Sequence, residues 1–152
     1  MKLLLGLLVA LASLTACAQT STVEESSAFE KLADGSCNTE EKRLVQEHIS
    51  GQITALSKED WEKAYSYASP GFQETFGLDQ FIFVITSQYQ MLISNDGVEY
   101  GACDIAKKGI TQEVSVTSEN ESYKLIYSLS VMSQKLGIES ASVTYSEPEV
   151  SA

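Results

Sequence analysis

Four side chains stand out for the chemistry they could do: the three cysteines, Cys17, Cys37 and Cys103, and the single histidine, His48. A thiol can be acylated, can pair with a second thiol, or can ligate a metal. An imidazole can carry a proton as a general base. One histidine and three widely spaced cysteines do not make a zinc pattern, which needs close ligand pairs. No glycine-rich loop follows a strand to cradle a phosphate, and there is no Gly-x-Ser-x-Gly elbow. No metal and no cofactor is therefore expected. What remains is modification of Cys17, pairing of Cys37 with Cys103, and a histidine that would need a pocket.

Cys17 closes a leader. Met1-Lys2 precedes an apolar run from Leu3 to Leu14, then Thr15-Ala16-Cys17. One positive charge, a short apolar stretch and small residues before a cut make a secretory signal over residues 1–16, too short to span a bilayer stably. Leu14-Thr15-Ala16-Cys17 resembles a bacterial lipobox, which implies cleavage before Cys17 and a diacylglycerol on its sulfur. Ala16-Cys17-Ala18 also fits an A-x-A site, whose cleavage would free a soluble chain starting at Gln19. Both routes export the protein. Lipidation is the expectation, because a cysteine directly after Leu-Thr-Ala is otherwise unexplained. Ala18 rather than Asp follows that cysteine, so the inner-membrane retention signal is missing. In a cell with two membranes, the expected address is the periplasmic side of the outer membrane.

The chain has a net charge of −11, and the leader removes only Lys2. No block of Lys or Arg could track a phosphate backbone, and a negative field repels nucleic acid. The same field disfavours anionic headgroups, so acylated Cys17, rather than a basic patch, would be the link to the lipid bilayer. No apolar run after the leader approaches membrane-spanning length. With Cys17 acylated, Cys37 and Cys103 remain, and an oxidising space favours their pairing. Such a bridge would add roughly 2–4 kcal/mol.

Residues 17–36 are rich in Ser, Thr and Glu and read as a tether, with Phe29 and Leu32 able to dock one helical turn. The domain is expected over residues 37–146. Asn38 with Glu41 makes a capping box, and Leu44, Val45, Ile49, Ile53 and Leu56 repeat at helical spacing up to Leu56. Ser57 is expected to cap a second helix carrying Trp61, Ala64, Tyr65 and Ala68. Ser69-Pro70 starts a short third helix that Gly77 closes. Leu78 to Ile93 reads as one long helix. After Asn95-Asp96-Gly97 the period becomes two. Strands are expected at Val98–Ile105, Ile110–Thr117, Tyr123–Met132 and Ile138–Tyr145, with turns at Asn120-Glu121 and Gly137. Residues 147–152 form a tail. Helices followed by an antiparallel meander indicate an α+β fold, with helices on one face of a four-stranded sheet.

That order resembles the nuclear transport factor 2-like fold, a cystatin-like cone in which N-terminal helices fill the concave side of a curved sheet. The segments Ile49–Leu56, Asp60-Trp61, Ala64–Pro70, Phe72-Gln73 and Phe76-Gly77 also resemble a bacterial family of unknown function, domain of unknown function 4864. The likeness spans about Glu41 to Tyr145 and implies a fold, not an activity. Proteins of this fold, such as ketosteroid isomerase and SnoaL-like cyclases, often hold a helix–sheet pocket. Their chemistry uses a base in an apolar cavity and a donor for an enolate oxygen.

Candidates for such a pocket are His48, Gln52, Trp61, Tyr65, Tyr89 and Tyr127. Counting about 100° per residue from Leu44 puts Gln52 inside the apolar stripe of the first helix and His48 on its border. A border histidine at the surface and a glutamine bonded to backbone are the plainer readings. No Asp or Glu falls within an apolar stripe, which weighs against catalysis. The expectation is a non-catalytic domain that binds a ligand or a partner, including a second copy or an envelope protein. An isomerase-like enzyme using His48, and a structural envelope protein, are the alternatives.

Overall fold

The computed structural model describes residues 28–144. The leader, Cys17, the tether up to residue 27 and the tail at 147–152 lie outside the described residues. The domain is α+β. Its elements run β1 Gly35–Ser36, α1 Thr39–Ser57, α2 Trp61–Tyr65, α3 Pro70–Thr75, α4 Leu78–Gln88 and α5 Gln90–Ile93. Four long strands follow: β2 Gly97–Ala106, β3 Gly109–Ser118, β4 Glu121–Met132 and β5 Lys135–Thr144. All pairings between these strands are antiparallel, and strand order equals chain order, β1-β2-β3-β4-β5.

Among the described residues the sheet has five strands, not the four expected. Gly35-Ser36 has little strand propensity, and its pairing with Asp104 and Ile105 is imposed by neighbours. The Cys37–Cys103 disulfide follows it directly, and Cys37 N donates to Cys103 O at 2.9 Å. Asp34 accepts from Lys107 N at 3.0 Å on the other side. Packing reaches still further back, to the buried Phe29.

The helices begin where short polar side chains can meet free N–H groups. Asn38 accepts from Glu40 N and Glu41 N, and the Glu41 carboxylate returns to Asn38 N at 2.7 Å. This reciprocal cap keeps Glu41 buried without leaving it unpaired. Asp60, not Ser57, caps α2, since α1 runs on through Ser57. Ser69 caps α3 ahead of Pro70, as expected. Gly77 begins α4 rather than ending α3. The expected long helix breaks at Tyr89 (φ −125°, ψ 36°), whose hydroxyl reaches across to β5.

The meander turns without glycine. Lys107-Lys108, Glu119-Asn120 and Ser133-Gln134 all have positive φ, between 49° and 68°. Each pair links two strands directly, the geometry that matches strand twist. Gly137 is not in a turn. It lies inside β5, where Ser69 crosses it.

Burial alternates along β3: Ile110, Gln112, Val114 and Val116 face the helices, and Thr111, Glu113 and Thr117 face outward. Gln112 is fully buried because it repairs a bulge in β2 between Tyr100 and Cys103. Its Nε2 lies 3.1 Å from Gly101 O, 3.2 Å from Ala102 O and 2.8 Å from Glu113 O. The core joins Val45, Ile49 and Leu56 of α1 to Val114, Leu125 and Leu129 of the sheet.

Candidate site: a cavity between helices and sheet

A cavity of about 180 Å³ lies between α3, α4 and the β4–β5 face of the sheet. Three phenylalanines wall its helical side. Phe72 lies 5.0 Å from Phe76 and meets Phe81 edge-on at 6.4 Å, ring centre to ring centre. Ile85 and Leu92 continue that wall, and Tyr127 and Ile138 rise from the sheet. α3 can lie this close to β5 because Ser69 N donates to Ile138 O and Ile138 N donates to Tyr67 O, both at 2.9 Å.

Three expected residues meet here: Gln52, Tyr89 and Tyr127. Each has a distinct state. Gln52 donates to Ala64 O at 3.3 Å, so backbone of α2 satisfies its amide. Tyr89 donates to Ala141 O at 2.6 Å and so ties the helical break to the β5 edge. Among the described residues the Tyr127 hydroxyl has no hydrogen-bond partner, although the residue is completely buried. Burial pushes its pKa well above the usual phenol value, and the nearby Tyr100 and Tyr89 add to the shift. Tyr100 is raised too, chiefly by burial. The Tyr127 phenol is thus a neutral donor at any ordinary pH.

The other three lie elsewhere. Tyr65 stands behind the wall: its ring lies 5.6 Å from Phe81, and its hydroxyl donates to Phe76 O at 2.7 Å. Trp61 borders a separate groove with Thr86 and Gln90. His48 sits in an open groove with Phe29, Lys63 and Leu136. Its Nε2 is 2.9 Å from Tyr67 O, and its ring meets the Tyr67 ring edge-on at 5.0 Å. It therefore steadies the α2–α3 link rather than addressing the cavity.

Among the described residues, Glu139 is the only carboxylate at the cavity. It is exposed on the rim and accepts from the Ser130 hydroxyl. Among the described residues, no group of His, Cys, Asp and Glu could hold a metal ion, and no helix is long and apolar enough to cross a membrane. Residues missed from sequence are the phenylalanine wall and the β5 lining. The i, i+4 spacing of Phe72 and Phe76 was the available signal.

An unpaired buried hydroxyl is a stability cost. Tyr127→Phe is expected to leave stability unchanged or to raise it by up to about 1 kcal/mol. Urea unfolding followed by fluorescence checks this. A loss above that size would mean the hydroxyl is bonded in the native protein.

No curated protein and no solved structure matches the chain. A family model, described as Domain of unknown function (DUF4864), matches residues 38–149, which takes in all of α1–α5 and β2–β5. A match of that extent places the chain in the DUF4864 family.

Proposed function

We propose that the chain is an exported protein, anchored to a bacterial membrane by a lipid on Cys17, whose domain binds a small molecule without transforming it. The observation behind the binding role is the cavity of about 180 Å³, walled by Phe72, Phe76 and Phe81. General-base chemistry needs a base within hydrogen-bond reach of the reacting atom. His48 is turned to Tyr67 O, and Glu139 lies at the rim. This favours binding over catalysis. The helices on one face of an antiparallel sheet support a nuclear transport factor 2-like arrangement, in which such a pocket would be the concave interior.

Two measurements test the reading. Titration of the protein with small neutral apolar compounds should raise its melting temperature in a saturable way. If none of a broad set does so, the cavity is core packing only. For the anchor, Cys17→Ser is expected to move the protein from the detergent phase to the aqueous phase on phase separation. An unchanged partition would show that a soluble form is made.

A further inference from the structure

We infer that the end of the sheet carrying the β2–β3 and β4–β5 turns is a docking surface for an anionic lipid bilayer. The nearness of a membrane rests on the anchor proposed above; the chemistry of the surface does not. Three observations carry it.

Charge comes first. A net charge of −11 would argue against such a contact if it were spread evenly. It is segregated instead, because the turns of an antiparallel meander alternate between the two ends of the sheet. One end holds Lys107-Lys108, linking β2 to β3, and Lys135, which opens β5 after Ser133-Gln134. The two turns stand two strand spacings apart, roughly 10 Å. All three lysines are exposed, and among the described residues none forms an ion pair. Two carboxylates at this end are held along the sheet edge. Asp34 accepts from Lys107 N, and Asp104 accepts from the Ser36 hydroxyl at 3.0 Å. The opposite end holds Glu119, Glu121 and Asp96, where Asp96 accepts from Glu119 N at 3.1 Å. β3, ten residues long, separates the two ends by about 33 Å. Salt at about 0.1 M screens charge over about 10 Å, so the acidic end does not cancel the basic one.

Apolar exposure comes second. Met132 is 55% exposed. It pairs with Lys135 at the tip of the β4–β5 hairpin. An apolar tip among ammonium groups suits the boundary of headgroups and acyl chains, where apolar burial and phosphate attraction add. An acidic macromolecule would match the lysines but not Met132.

The path of the chain comes third. Phe29 is buried in a groove that Lys135 and Leu136 also line. Cys17 lies eleven residues before Ala28, at most about 40 Å of chain. A lipid on Cys17 would bring this end of the sheet to the bilayer ahead of the acidic end.

The test uses the exported Cys17→Ser protein, which carries no acyl chain, sedimented with vesicles in about 0.1 M salt. Vesicles of equal parts phosphatidylglycerol and phosphatidylcholine should bind it at least about tenfold better than phosphatidylcholine alone. Lys108→Glu with Lys135→Glu should abolish that preference. Lys58→Glu with Lys124→Glu changes net charge equally, away from this end, and should keep most of it. Met132→Ser should weaken binding about fivefold, for partial burial of one apolar side chain. Equal binding to the two vesicle types, or equal losses in the two double variants, overturns the docking surface and leaves the anchor standing. Unchanged binding of Met132→Ser overturns the lipid assignment in favour of an acidic macromolecule. Loss of the anchor reading shows separately, as wild type in the aqueous phase, and does not alter the vesicle result.

Discussion

Reduction of the Cys37–Cys103 disulfide is expected to lower the stability of the domain by about 4 kcal/mol. The bridge joins residues 66 apart in sequence, so it closes a long loop in the unfolded chain. Restricting that loop costs the unfolded state an entropy that grows with the logarithm of loop length, about 4 kcal/mol at this separation. The native side adds little strain-relieving freedom in return. Both cysteines are buried, and Cys37 N already donates to Cys103 O. The reduced thiols would remain in contact inside a formed core. Urea unfolding with and without reductant, repeated on a Cys37→Ala, Cys103→Ala double variant, measures the effect. A drop below about 1 kcal/mol would show that the reduced unfolded chain is already held compact.

Gly137→Ala is expected to cost about 2–3 kcal/mol, the upper part of the range of about 1–3 kcal/mol for forcing atoms into a filled core. A Cβ at residue 137 would stand 2.6 Å from Ser69 Cα and 2.7 Å from Ser69 Cβ. Neither can move cheaply. Ser69 is fully buried, caps α3 through its hydroxyl, and is tied to β5 through its N–H. Relief would come from lifting α3 off β5, which would also open the cavity wall at Phe72. Gly97→Ala is the control, because a Cβ there meets nothing within 4 Å and should change stability by under about 0.5 kcal/mol. Equal unfolding midpoints for the two variants would refute this account of the crossing.

The α+β order was legible because helical spacing in α1 and alternation in β3 are strong local signals. Ile110, Gln112, Val114 and Val116 do face the helices together. β1 was hidden because Gly35-Ser36 is a strand only by virtue of its partner β2. Gly137 read as a turn because sequence carries no sign of a chain crossing from 68 residues upstream. The true turns were masked, since Lys107-Lys108 and Ser133-Gln134 are not residues that advertise positive φ. The break falls at Tyr89, whose hydroxyl bonds Ala141 O, 52 residues away and out of reach of any local pattern. At the site, Gln52 was legible from its angular position on α1. His48 was placed correctly at the border of the stripe, but its tie to Tyr67 O is tertiary. The state of Tyr127 could not be read at all, because an unsatisfied hydroxyl is a property of everything around it.

The order of the strands has a consequence for how the chain reaches this form. β2 to β5 are neighbours in sequence and in space, each joined to the next by a two-residue link. Every one of those pairings closes a short loop and can form early, before distant segments are in place. β1 is different: its partner lies across all five helices. Folding should therefore start in the C-terminal half and finish at the N-terminal one, with oxidation of the thiols as the closing step. A chain oxidised only late in refolding should already show the hairpins' amide protection from solvent exchange, while residues 35 and 36 still exchange freely.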